Sequence, residues 1–158
     1  MPQVFSPLFQ KARYKAYYGG RASGKSHSFA TALIVQGTQK PLRIFCGREI
    51  QKSIKDSVKR LIDDKIDQYK LRRFYTSTET EVRGKNGTLF IFSGLKSNPE
   101  NIKSMEAVNI AWIEESHTVG QKSLDILIPT IREPESEIWF TWNPDLDSDA
   151  VDKMFRGE

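Results

Sequence analysis

The sequence predicts an α/β fold: a mainly parallel β-sheet with helices on both faces. Three observations carry that expectation. Apolar segments of strand character alternate with segments of helical period. Gly19-Gly20-Arg21-Ala22-Ser23-Gly24-Lys25-Ser26 fits G-x-x-x-x-G-K-[ST], the phosphate-binding P-loop, between a strand and a helix. The apolar run Asn109 to Ile113 ends in adjacent carboxylates, Glu114 and Glu115, as a Walker B strand does. Together these point to a P-loop NTPase fold of the ASCE type.

The elements follow in order. Tyr14 to Tyr18 is the strand before the loop, and Ser26 to Gln36 is the helix after it. Pro41 stops that helix, and Leu42 to Cys46 is a second strand. After Gly47-Arg48-Glu49 comes a helix from about Ser53 to Gln68. There Ile54, Val58, Leu61, Ile62 and Ile66 share one stripe. Ser53 is its candidate cap, with Asp56 in a loose capping-box position. Phe74 to Ser77 and Glu81 to Arg83 are short strands, and Asn86-Gly87 turns into Leu89 to Phe92. A loop at Asn98-Pro99-Glu100-Asn101 leads to a short helix near Ile102 to Met105. Val108 to Ile113 is a buried strand, and Ser123 to Ile131 is a helix that Pro129 kinks or ends. Ile138 to Trp142 is the last strand, closed by Asn143-Pro144.

At 158 residues the chain is one domain by length. Hydrophobic content of 38% and charged content of 28% fit a soluble globular protein. No apolar run approaches the roughly 20 residues of a membrane span, and Met1-Pro2-Gln3-Val4-Phe5 has no secretion-signal pattern. The single Cys46 excludes an internal disulfide and suits a core strand in a reducing compartment. A net charge of +4 is compatible with an anionic partner without demanding one. The basic residues are dispersed: Lys52, Lys55, Lys59 and Arg60 along one helix, and Arg72, Arg73, Arg83 and Lys85 near loops. Such residues are more often a solvated face than a nucleic-acid surface.

Each motif position has a physical job. Glycines allow a sharp turn and bring backbone N–H groups to phosphate oxygens. Lys25 neutralises the β- and γ-phosphates of a nucleotide, the Ser26 hydroxyl helps hold Mg²⁺, and the helix start presents its positive end. Glu114 holds Mg²⁺ directly or through water, although Asp is usual there, and Glu115 polarises the attacking water. Arg21 either neutralises the γ-phosphate in the transition state, as an arginine finger in cis, or points outward to solvent or a carboxylate. Thr141 and Asn143 either hydrogen-bond the γ-phosphate or water, or belong to a turn that merely closes the strand.

In order and spacing, these residues resemble the ATPase domain of the large terminase subunit of tailed bacteriophages, in the PBSX-like and Sf6-like subgroup. The resemblance rests on Arg13-Tyr14-Lys15 leading to the P-loop, Ile44 to Glu49 with Ser53 to Ser57, and Asn98-Pro99 with Ile102-Lys103-Ser104. It continues through Ala111 to Glu115, Asp125 to Arg132 and Trp142-Asn143-Pro144, spanning about 10 to 145. It implies an ATP-driven motor that moves double-stranded DNA into a procapsid. It implies Arg21 as the basic residue of a terminase-type P-loop and Glu115 as the catalytic carboxylate. Thr141 to Asn143 correspond to the coupling motif, and Tyr14, with Arg13, to the adenine contact. The implied partners are a portal protein, a small terminase subunit and further copies of the chain, five around the DNA, with a monomer in isolation. The implied setting is the host cytoplasm, with no membrane partner. DNA contacts fall on the backbone and depend on salt. Large terminases also carry an RNase-H-like nuclease, which this chain is too short to contain. Asp145, Asp147, Asp149 and Asp152 are therefore expected to form a solvated linker. The competing readings are a helicase- or recombination-type P-loop ATPase, a small-molecule kinase and a catalytically idle nucleotide-binding remnant.

Overall fold

Strand β1 (Tyr14–Tyr18) leads into the P-loop, and α1 (Lys25–Gln39) leaves it. Then follow β2 (Arg43–Arg48), a π-helical turn (Lys55–Lys59) running into α2 (Arg60–Gln68), β3 (Tyr75–Ser77), β4 (Glu81–Gly84) and β5 (Leu89–Gly94). The chain continues through α3 (Pro99–Lys103), β6 (Ile110–Glu114), a 3₁₀ turn (Ser116–Thr118), α4 (Gln121–Thr130), β7 (Glu137–Trp142) and α5 (Ala150–Arg156). This computed structural model describes residues 7–19, 24–50, 52, 54–96, 99–143 and 149–156.

The strands form one sheet in the order β1-β7-β6-β2-β5-β4-β3. Pairing is parallel from β1 through β5, and β4 and β3 add an antiparallel edge. The central strands are buried on both faces, so they read as apolar runs rather than alternating ones. In β6, Ile110 and Trp112 join one core while Ala111 and Ile113 join the other. The first core takes Phe29, Leu33, Ile62 and Ile66 from α1 and α2. The second takes Leu124, Leu127 and Val151 from α4 and α5. Helices therefore cover both faces, as the sequence predicts.

Three differences from the sequence reading have physical causes. The helix expected over 53–68 opens with the π turn, where the Lys59 N–H donates to the Ile54 carbonyl at 3.1 Å. Its buried apolar residues, Ile54, Val58, Ile62 and Ile66, recur every four positions, a period longer than the α-helical 3.6. A wider turn keeps that stripe on the sheet. The Ser53 cap lies outside the described residues. β2 and β5 run past their apolar segments because their parallel pairing continues to Arg48 and Gly94. Residues 149–156 are not the solvated linker expected. Val151 and Phe155, one helical turn apart, dock α5 on the sheet, with the Phe155 ring 5.1 Å from Phe140. Asp152 is buried and pairs with Arg156 at 3.4 Å. Asp145 and Asp147 lie outside the described residues. Among the described residues no helix is long and apolar enough to cross a membrane.

At the amino-terminal ends of β1 and β7, Lys15 and Glu137 form a buried ion pair at 2.7 Å. Lys15 also donates to the Leu8 carbonyl at 2.8 Å, and Glu137 accepts from the Trp139 indole at 2.7 Å. Removing one partner leaves the other charge uncompensated in the interior. Lys15→Met is expected to cost about 3–5 kcal/mol in urea unfolding, and the double variant Lys15→Met/Glu137→Met to recover most of that loss.

Candidate nucleotide site

Parallel pairing lines up the carboxyl ends of β1, β7, β6 and β2 on one rim, where ligands of open α/β sheets bind. The chain leaves β1 at Gly19 (φ 156°) and enters α1 through Gly24 (φ 75°, ψ 14°). Both conformations favour glycine. Among the described residues, a Cβ built on either glycine meets nothing within 4 Å. Gly20, Arg21, Ala22 and Ser23 lie outside the described residues, and the two roles considered for Arg21 with them. The first turn of α1 carries no acidic residue of its own; the carboxylate that reaches this helix end is Glu114 of β6.

Lys25 is buried at the base of this turn. Its ammonium donates to the Gly19 carbonyl at 2.9 Å and to Asn143 Oδ1 at 2.7 Å. Burial pushes its pKa below the ordinary lysine value. Ser26 Oγ donates to Glu114 Oε1 at 3.5 Å. The two metal candidates thus meet across the cleft as oxygen donors, the chemistry Mg²⁺ takes.

Glu114 ends β6 opposite Thr141 of β7. Glu115 follows in the left-handed conformation (φ 52°, ψ 47°), which breaks the strand and turns the side chain outward to 49% exposure. The Thr118 amide and hydroxyl both donate to the Glu115 carbonyl, at 3.0 and 2.8 Å, and fix that turn. The cleft, about 340 Å³, is lined by Lys25, Ser26, Glu114, Glu115, Thr141 and Asn143 among others. Thr141 and Asn143 differ in their contacts. Asn143 holds Lys25, whereas the buried Thr141 hydroxyl accepts from the Trp112 indole at 3.0 Å.

Arg13 and Tyr14 do not reach the cleft, which corrects the adenine contact implied by resemblance. They lie at the amino end of β1, about 13 Å along the strand from Tyr18. The Arg13 guanidinium donates to Ser136 Oγ at 2.8 Å and to the Ile128 carbonyl at 3.2 Å. Some of the basic residues also have fixed partners. Lys59 is buried against Asp63 and Ser77, both at 2.6 Å, and Arg72 and Arg83 pair with Asp67 and Glu81.

Two site residues escaped sequence reasoning. Arg48 ends β2, the neighbour of β6, and its Nε pairs with Glu114 while Nη1 lies 3.3 Å from Glu115 Oε2. Glu49 accepts from the Gly120 amide and the Ser123 hydroxyl, both at 2.7 Å. A carboxylate from the turn that follows β2 therefore caps α4, whose own N-cap residue, Gly120, has no side chain to do so. The available signal was the charged pair Arg48-Glu49 ending an apolar strand. Glu49→Ala is expected to cost about 1–3 kcal/mol in chemical denaturation and to speed hydrogen exchange at the Gly120 amide.

A family model described as phage terminase large subunit matches residues 11–157. The PBSX phage terminase large subunit of Bacillus subtilis (strain 168) is 27% identical over 135 residues, covering 83% of this chain and 31% of that protein. The chain thus spans about a third of the length of that relative. The large terminase of a thermophilic bacteriophage, solved in complex with ADP, superposes with a TM-score of 0.71 at 13% identity, covering 96% of this chain and 40% of that one. The N-terminal domain of the DNA packaging ATPase from bacteriophage phi29 gives 0.71 at 11% identity, covering 91% of this chain and 79% of that one.

Proposed function

Because this chain belongs to the phage terminase large subunit family, we propose that it is the Mg²⁺-dependent ATPase part of a DNA-packaging motor. It hydrolyses ATP, and the released energy drives double-stranded DNA into a procapsid. The observation that carries this reading is the meeting of Lys25 and Ser26 with Glu114 and Glu115 on one cleft.

Lys25 gives up the Gly19 carbonyl and Asn143 to neutralise the β- and γ-phosphates. Ser26 and Glu114 would hold Mg²⁺, which when bound offsets phosphate charge. Glu115 orients water in line with the γ-phosphate and takes its proton, and its outward, half-exposed carboxylate suits that task. Arg48 holds both carboxylates in place. Arg21 adds positive charge at the γ-phosphate. Asn143, bonded to Lys25, exchanges partners when nucleotide arrives, and Thr141 braces the same strand end. Copies of the chain ring the DNA on the procapsid, with a portal protein and a small terminase subunit as partners, in the host cytoplasm. The isolated chain is a monomer with low turnover. DNA contact is through the backbone and weakens with salt.

The test is ATP binding and hydrolysis with Mg²⁺, with and without double-stranded DNA. Lys25→Ala is expected to lose ATP binding. Glu115→Gln is expected to keep binding while hydrolysis falls by about 10²–10⁴-fold. A Glu115→Gln variant that turned over like the parent would sink the assignment.

A further inference from the structure

Arg13 and Tyr14 stand at the far end of β1 from the cleft, so the base of a bound nucleotide has to meet other side chains. The sheet order sets where they are. Glu114 ends β6, the P-loop follows β1, and β7 lies between the two strands. Neighbouring strands lie about 4.8 Å apart, so the ends of β6 and β1 are separated by roughly 10 Å. A triphosphate with its terminal phosphate toward Glu114 and Glu115 therefore extends its nucleoside the other way, past β1. That strand is the last on its side of the sheet, so the nucleoside leaves the phosphate cleft over the sheet edge.

Tyr18 stands at this edge. It is the last residue of β1, directly before Gly19, and it is 51% exposed. Parallel pairing sets it beside Trp142, whose ring packs against it at 5.3 Å. The Arg156 guanidinium, from α5, lies over the Tyr18 ring at 4.5 Å. Asp152, buried and one turn earlier on α5, pairs with Arg156 Nη1 at 3.4 Å and fixes the guanidinium there. The Arg156 side chain is still 40% exposed. A guanidinium is flat and stacks on aromatic faces, so one held against a tyrosine and open to solvent can take a second ring. Trp142 gives an independent sign of a ligand. Its indole nitrogen is buried with no hydrogen-bond partner, whereas Trp112 donates to Thr141 and Trp139 to Glu137. An indole nitrogen only donates and requires an acceptor, and leaving it unbonded is costly. Trp142 lines the cleft, and a nucleoside carries acceptors in its ribose oxygens and ring nitrogens.

We propose that Arg156 and Tyr18 form the platform for the base of the bound nucleotide. The base stacks on the guanidinium, the Tyr18 ring backs it, and the Trp142 indole N–H donates to the nucleoside beside them. This rests on the nucleotide reading above. Stacking engages the flat face of a base and does not touch the phosphates. The platform therefore adds affinity for triphosphate and diphosphate alike, and none for a polyphosphate without a base.

The test compares Mg²⁺ complexes of ATP-γ-S, ADP and inorganic tripolyphosphate. Arg156→Ala and Arg156→Lys are each expected to weaken ATP-γ-S and ADP about tenfold and to leave tripolyphosphate unchanged. Lysine keeps the charge without the flat face. In the ¹⁵N-labelled parent protein the Arg156 Nε–H signal is expected to move upfield with ADP and to stay with tripolyphosphate. It is assigned with Arg156→Lys, or through bonds in the parent if that variant does not fold. Suppose ADP moves the Gly24 and Lys25 amides, the Arg156 signal stays, and both variants bind ADP like the parent: the proposal falls and the nucleotide reading stands. If no ligand moves those amides, both fall. Full ADP binding by Arg156→Lys would make the contact one of charge alone. Equal loss of tripolyphosphate would make Arg156 a support for the P-loop. Either result overturns the platform.

Discussion

Parallel register among β1, β7, β6 and β2 is the constraint from which the cleft follows. Tyr18 pairs with Trp142, Thr141 with Glu114, and Ile113 with Gly47. These pairings set the glycine-rich turn, Asn143, the Glu114–Glu115 pair and Arg48 at one level. Each of those groups comes from a different part of the sequence, and the bonds among them join distant segments. A one-residue slip would turn every side chain of the slipped strand to the other face. The two cores of bulky apolar residues prevent that slip.

On this frame the cleft is built of charged groups that find their partners inside the protein. Lys25 and Arg48 are cations held away from bulk water, and each has oxygen partners within the protein. An unpaired charge in such a position is severely unfavourable, while a paired one is tolerated. The cleft is therefore held together by its own bonds before any ligand arrives. Ligand entry then becomes a trade of one set of oxygen partners for another.

The P-loop and the Glu114–Glu115 strand end were legible because their chemistry is local: a fixed spacing on one segment, next to a strand or helix with its own periodicity. Arg48 was not, because what makes it a site residue is the adjacency of β2 and β6, which no local pattern encodes. Glu49 as a cap for α4 is hidden for the same reason. The misplacement of Arg13 and Tyr14 came from nearness in sequence. A strand converts a few residues into a long distance, and these two sit on its far end. α5 was missed because its apolar pair, Val151 and Phe155, is embedded among acidic residues that dominate the composition. Spacing was the better guide there, as it was for the four-residue stripe that takes a π turn.

Lys15–Glu137 and Lys25–Asn143 lie at opposite ends of the same pair of strands. Seen mechanically, β1 and β7 are rails with a stop at each end. One stop is a buried charge pair far from the cleft, and the other is a cleft lysine held by the Gly19 carbonyl and Asn143. Sliding one rail along the other would have to break the inaccessible stop. The strands themselves are therefore a rigid mount on which the cleft sits.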